Sequence, residues 1–148
     1  KLGHCTVYED ARAYKRSTSM NEVLLFNSAG RLVEGSVSNI LVVRQDGSLT
    51  TPDIALGAVA GIALKIIQDR TSELCVSAID RGDVESADEI IVVNAVRGAR
   101  PVVHLDDKQV GSGAAGPWAR RLDALLLTSA FRNAEIGPKA GSRRPKGL

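Results

Sequence analysis

Apolar residues recur along this chain with a helical period in some stretches and a period of two or none in others, and the changes of period predict its elements. From His4 to Ser19, Cys5, Tyr8, Ala11 and Arg12 fall at helical spacing with charges between them, which predicts a helix near 4–18. Glu22 to Asn27 and Arg31 to Val33 read as two short strands joined by the tight turn Ser28-Ala29-Gly30. Asn39 to Arg44 and Ser48 to Thr51 predict a second hairpin around Gln45-Asp46-Gly47, an Asp-Gly turn that favours positive φ, and Pro52 ends it. Small residues over 55–61 lead into a helix from Ile62 to Asp69 or Arg70, with Ile62, Ile66 and Ile67 expected against a core. Leu74 to Ile79 reads as a strand, Arg81 to Ala87 as a connector with a helical turn, and Asp88 to Asn94 as a buried strand rich in β-branched residues. Val102 to Leu105 and Lys108 to Val110 predict a last hairpin around Asp106-Asp107, and Arg97 and Arg100 are read as part of a solvated loop before it. A helix from Pro117, where proline suits the first turn, runs to Phe131. Strands that pair mostly as hairpins, beside about three helices, predict an α+β domain with a curved, partly closed, mainly antiparallel sheet.

At 148 residues the chain is long enough for one domain, which at this size buries roughly 70% of its unfolded surface. Hydrophobic residues make up 44% and aromatics only 3%, so the core must be built from Val, Ile, Leu and Ala, and few side chains could stack on bases. The net charge of +2 is dispersed except at Arg120-Arg121 and in the tail with Arg143, Arg144 and Lys146. No basic face with interleaved aromatics is present, so a nucleic-acid partner is not expected. Cys5 and Cys75 form neither a disulfide framework nor a zinc spacing, and their expected burial in apolar surroundings points to a reducing, cytoplasmic setting. No run is long enough to span a membrane and no leader opens the chain, so no membrane partner is expected. The first residue is Lys rather than Met, from which a processed or excerpted piece of a longer product is expected. The stretch 137–148, rich in Pro, Gly, Lys and Arg, is expected to be a disordered basic tail.

The chemistry concentrates in Glu34-Gly35-Ser36-Val37-Ser38-Asn39. A single carboxylate follows an apolar strand end, then Gly and small hydroxyl residues allow backbone to approach a flat ligand, and the fully apolar Ile40 to Val43 begins. Such a place can hold one carboxylate in a partly buried, fixed geometry against a heterocycle. The helix that starts at Gly61-Ile62-Ala63 points free N–H groups and a positive dipole end at whatever precedes it, which makes an anion site. His4 and His104 have no partner spacing for a metal or a triad, and there is neither a nucleophile elbow nor a Gly-rich nucleotide loop.

Five pieces in order, Gly30 to Asn39, Thr51-Pro52, Gly61-Ile62, Ala87 to Asn94 and Arg100-Pro101-Val102, resemble the class IV (fold type IV) aminotransferases over Lys1 to about Leu105. That family includes branched-chain and D-amino-acid aminotransferases and aminodeoxychorismate lyases. The resemblance implies pyridoxal 5'-phosphate as cofactor, amino acid and 2-oxo acid substrates, and a homodimer. It makes residues 1–136 the larger, C-terminal, cofactor-binding domain, without the smaller upstream domain or the phosphate-binding arginine that lies there in the family. Glu34 matches the acid that keeps the pyridine nitrogen protonated. The family's cofactor-linking lysine lies about 33 residues before that glutamate, which lands on Lys1; Lys15, only 19 residues away, is the alternative. The resemblance gives the phosphate to the backbone N–H groups of Ile62 and Ala63, sets Val59 against the ring face, and adds Val37, Ser38 and Ala95 to the cofactor contacts. It lines the substrate carboxylate side with Asn94, Ala95, Val96 and Arg97 through backbone N–H groups.

The chain departs from the pattern in two places. Gly61-Ile62-Ala63-Leu64 stands where the family often has Gly-Ile-Thr-Arg, and Ala95 stands where a further hydroxyl is common. Three readings follow: transfer of an amino group to a 2-oxo acid; elimination of pyruvate from aminodeoxychorismate; and a catalytically silent, dimerising domain, for which Ala63, Leu64 and Ala95 speak. Glu34 to Asn39 and Asn94-Ala95 lean toward the lyase-like and D-amino-acid members.

Overall fold

The computed structural model describes residues 6–134, with side chains up to residue 128. Lys1, His4, Cys5 and the basic stretch 137–148 therefore lie outside the described residues. Four helices occur among those described: α1 (Thr6–Thr18), α2 (Ile62–Arg70), α3 (Arg81–Glu85) and α4 (Pro117–Ala134). The strands are β1 (Leu24–Phe26), β2 (Leu32–Gly35), β3 (Asn39–Val43), β4 (Leu49–Thr51), β5 (Leu74–Val76), β6 (Glu89–Asn94), β7 (Gly98–Val102), β8 (His104–Leu105) and β9 (Lys108–Gln109). A five-stranded sheet runs in the order β5-β4-β3-β6-β7, while β1-β2 and β8-β9 are separate hairpins. All pairings are antiparallel except β4 with β5.

The sheet lies between two layers, which is why its central strands are apolar without alternation. On one side Leu41, Val43, Ile91 and Val93 pack beneath Leu64 and Ile67 of α2 and Leu122 and Leu126 of α4. On the other, Ile40, Val42 and Ile90 meet Leu32 of the first hairpin, Ile79 and Val84 of α3. Leu41, Val42, Ile67, Ile90 and Ile91 are each 0% exposed, and burying such a side chain contributes about 1.5–3 kcal/mol. The register Asn39↔Val93 to Val43↔Glu89 brings the start of β3 beside the end of β6. That end of the sheet is where the candidate site forms.

Four expectations are corrected. Gly98–Val102, read as loop around Arg97 and Arg100, is the strand β7; it is the sheet's edge, where a residue without an N–H such as Pro101 is tolerated. The strand expected over Leu74 to Ile79 ends at Val76 and joins β4 in parallel rather than through a hairpin. Cys75 is exposed because that short strand is the opposite edge. Ile62 is 69% exposed, and Ala63, Leu64 and Ile67 form the buried face of α2 in its place.

Candidate functional site

The end of β2, the start of β3, the loop into α2 and the end of β6 surround a cavity of about 390 Å³, whose wall includes Tyr8, Glu34, Val37, Asn39, Val59, Ile62 and Ala95. Glu34, on β2, is 3% exposed. Its Oε2 accepts the Val59 N–H at 2.9 Å and its Oε1 accepts the Tyr8 hydroxyl. Among the described residues, then, a buried carboxylate is held by a backbone donor and a phenol rather than by a cation. An ionised carboxylate has about four acceptor positions, so two bonds leave it capacity for a further donor from the cavity.

Val59 is held at both of its peptide groups. While its N–H donates to Glu34, its carbonyl accepts Asn39 Nδ2 at 2.8 Å and the Gly61 N–H at 2.9 Å. The side chain, 64% exposed, is left at the cavity, where Val37 is 45% exposed. A Cβ at position 61 would overlap Asn39 Oδ1, so a larger residue there must displace the Asn39 side chain. Gly61 is also the N-cap of α2, and among the described residues no side chain caps that helix end. The first N–H groups of an α-helix have no partner inside the helix, so those of Ile62 and Ala63 are oriented as an anion site. Ala63 buries its methyl in the core and Ile62 leaves its side chain at the cavity wall. Ser38, 7% exposed, completes the loop between Glu34 and Asn39.

The β6–β7 turn differs from expectation. Asn94 Oδ1 accepts the N–H groups of Val96 at 3.0 Å and Arg97 at 2.8 Å, so two amides assigned to a substrate carboxylate are engaged within the turn. Asn94 Nδ2 also reaches the Val37 carbonyl at 3.4 Å, tying this turn to the Glu34 loop. Ala95 is exposed at the rim and Val96 is 93% exposed. A second cavity of about 750 Å³ adjoins the first, with Val37 and Asn94 as common wall and Arg97 and Arg100 along its side. Arg100 pairs with Asp123 at 3.3 Å, while Arg97 meets no carboxylate among the described residues.

The structure thus brings together Glu34, Val37, Ser38, Val59, Ile62, Asn94 and Ala95, with Ala63 behind Ile62 at the helix end and Val96 and Arg97 in the adjoining turn. Lys1 lies outside the described residues, and Lys15 does not line the cavity. Sequence reasoning missed Tyr8, Asn39 and Glu22 as site-building residues. Their partners are 14 to 26 residues away, so no local spacing announces them.

Comparison with known proteins gives a consistent picture. Residues 1–105 match the family model described as amino-transferase class IV. The chain is 31% identical over 114 residues to a probable branched-chain-amino-acid aminotransferase of Aquifex aeolicus, covering 74% of this chain and 36% of that protein. It is 26% identical over 103 residues to a D-alanine aminotransferase of Bacillus licheniformis, covering 68% and 36%. A solved T.th. branched-chain amino acid aminotransferase, complexed with N-(5'-phosphopyridoxyl)-L-glutamate, superposes with a TM-score of 0.75 at 27% identity, over 86% of this chain and 43% of that one. The chain spans about a third of the length of the curated relatives it matches and under half of the solved one.

Proposed function

Because the chain belongs to the class IV aminotransferases, we propose that it forms the cofactor-holding part of an enzyme that uses pyridoxal phosphate to move an amino group between an amino acid and a 2-oxo acid. The observation that carries this reading is the buried Glu34 carboxylate, fixed by the Val59 N–H at 2.9 Å, in the same cavity as the uncapped start of α2.

The donor set fits that group. A ring nitrogen needs a fixed acid, a flat ring needs apolar faces, and a phosphate needs N–H donors. Glu34, the pair Val37 and Val59, and the first turn of α2 supply these in turn, in a cavity of the size range of small-molecule sites, about 300–1,000 Å³. Bound there, pyridoxal phosphate supplies an electron-accepting protonated ring. Glu34 would hold the proton on the ring nitrogen, and the bonds from Val59 and Tyr8 keep its oxygens from turning away. Val37 and Val59 exclude water from the ring faces, and Ile62 and Ala63 give their N–H groups to the phosphate. Lys1, by its spacing from Glu34, is the residue that would hold the cofactor through its side-chain amine. A lyase is the second reading, favoured by Ala95, which leaves a methyl rather than a hydroxyl at the exposed rim.

Titration of the chain with pyridoxal phosphate, followed by borohydride and peptide mapping, tests this. A visible absorbance band that shifts on adding amino acid, with the adduct on Lys1, is the expected result. An adduct on Lys15 or Lys65 overturns the lysine assignment, and no absorbance change overturns the cofactor reading. Pyruvate release without an amino acceptor would select the lyase.

A further inference from the structure

We propose that Glu22 is the positioning residue of this site: its carboxylate clamps the Gly35–Ser38 loop and so sets the spacing between Glu34 and Asn39, the two side chains that hold Val59. Glu22 Oε1 accepts the N–H of Val23 and of Ser36 at 2.9 Å each and the Ser36 hydroxyl at 2.5 Å; Oε2 accepts the Ser38 hydroxyl at 2.5 Å. Bonds to an ionised carboxylate are about twice as strong as neutral ones, and four converge on this one. Both serines are buried, at 4% and 7% exposure, so neither hydroxyl has water as a ready substitute.

The loop is shaped for the clamp. Gly35 donates its N–H to the Ser38 carbonyl at 2.7 Å, closing the loop on itself. A Cβ on Gly35 would stand 2.6 Å from Ser38 Oγ and 3.0 Å from Glu22 Cδ, so any other residue would push the carboxylate and the loop apart. The hairpin has its own pairing, Leu24↔Gly35 and Leu25↔Glu34, and does not need Glu22 to bring β1 and β2 together. What the clamp adds lies beyond the hairpin's end. The Ser36 N–H is shared with the Val23 carbonyl at 2.9 Å, so the clamp's own share is the two serine hydroxyls. Through them it fixes Ser38, and with it the exposed Val37 side chain and the interval from Glu34 to Asn39 across which Val59 is gripped.

The inference rests on the proposed cofactor-holding function, and the experiment separates the two. Glu22→Ala and Glu22→Gln are compared with the unaltered full chain by pyridoxal phosphate titration, by amide exchange over residues 35–39, and by unfolding followed through Trp118 on the opposite layer. Glu22→Ala is expected to weaken cofactor binding about 10- to 100-fold and to speed exchange of the loop amides by at least about tenfold, as loss of one or two charge-assisted bonds predicts. Glu22→Gln keeps a carbonyl oxygen for Ser36 and an amide N–H that the Ser38 hydroxyl can accept, so binding within about threefold of the unaltered chain is expected. If Glu22→Ala lowers the unfolding midpoint but binds cofactor with unaltered affinity, or if loop exchange stays unchanged, Glu22 is a structural residue and the proposal fails. If Glu22→Ala does not fold, the double variant Ser36→Ala with Ser38→Ala takes its place, with the same expected and overturning results. If the unaltered chain takes up no pyridoxal phosphate, the proposed cofactor-holding function fails for it, and loop exchange alone decides the clamp.

Discussion

The helices α2 and α4 start against the same sheet, each behind a glycine where an added methyl would displace a buried polar side chain, but their first turns are treated in opposite ways. At α4 the Glu89 carboxylate, 9% exposed, accepts the N–H groups of Trp118 and Ala119 at 3.0 Å each. A Cβ on Gly116 would overlap the Glu89 carboxylate, so that glycine admits the acid to the helix end. Two orphan donors and the positive end of the dipole are thereby neutralised from within. At α2 Gly61 makes room for Asn39, which turns to Val59 instead of to the helix, and among the described residues no side chain makes a cap hydrogen bond there. Glu34, more deeply buried than Glu89, is directed to the Val59 N–H and the cavity. A helix end that already holds an internal anion has no use for an external one; an open end at a cavity is suited to one. Of the two glutamates buried among the described residues, one closes a helix and the other faces a cavity.

Replacing each glutamate should therefore produce opposite losses. Glu34→Gln keeps an oxygen for the Val59 N–H but removes the charge proposed to hold the ring proton, so turnover should fall by about 10²–10³, or about 2.7–4 kcal/mol in barrier, with the unfolding midpoint nearly unchanged. The measurement is amino-group transfer to a 2-oxo acid beside urea unfolding, and full turnover in this variant would make Glu34 a structural residue. Glu89→Ala should leave cofactor affinity alone and destabilise the fold by about 1–3 kcal/mol, because two N–H groups lose a charged acceptor in a partly buried place. Urea midpoints check this, and a loss of cofactor affinity without loss of stability would erase the contrast.

How much of this was legible in the sequence depends on how far apart the partners lie. The run Ile40 to Val43 announced itself because both faces of β3 are covered, and Glu34 stood out as the one carboxylate between an apolar strand end and a Ser/Gly loop. The strand β7 was hidden by Gly98 and Pro101, which read as loop residues and are tolerated because β7 is an edge. Ile62 has the periodicity of a core residue, but the first turn of α2 is at the cavity, where that position faces outward. The Glu89 cap joins residues 29 and 30 positions apart, and the Glu22 clamp spans 14 and 16, separations at which neither period nor motif carries a signal. Asn94 was recognised as a site residue, yet its side chain satisfies the very turn amides that its position suggested for a substrate.

The two glycines sharpen the contrast further, with a smaller effect. Gly61→Ala must displace Asn39 and release the Val59 carbonyl, which should weaken pyridoxal phosphate binding by roughly tenfold, the equivalent of one hydrogen bond of about 1–1.5 kcal/mol. Gly116→Ala should leave that affinity unchanged and lower the unfolding midpoint, since its methyl would enter the Glu89 cap. Titration and thermal unfolding of both variants would show whether either glycine acts on the wrong side.

The smallest effect concerns charge at the helix layer away from the cavity. Arg121 on α4 stacks over Trp118 at 4.6 Å and donates to Glu73 at 2.8 Å, and that hydrogen bond holds the exposed Glu73 carboxyl below its ordinary range. A carboxylate whose folded-state pKa is depressed contributes stability above its unfolded pKa, about 4.3, and that contribution disappears as the pH falls through the lower folded value. Because the pair is exposed, the contribution is expected to be slight and to fade with added salt. Glu73→Gln should therefore match the unaltered chain in unfolding midpoint below the folded pKa of Glu73. Near neutrality it should fall slightly behind, and it should bind pyridoxal phosphate equally well at either pH. The comparison is a set of urea unfolding curves from acid to neutral pH at low and high salt. A deficit that grew toward acid would reverse the sign and exclude the Arg121 pairing as its cause. A change in cofactor affinity would mean that the α4 layer and the cavity are coupled rather than separate.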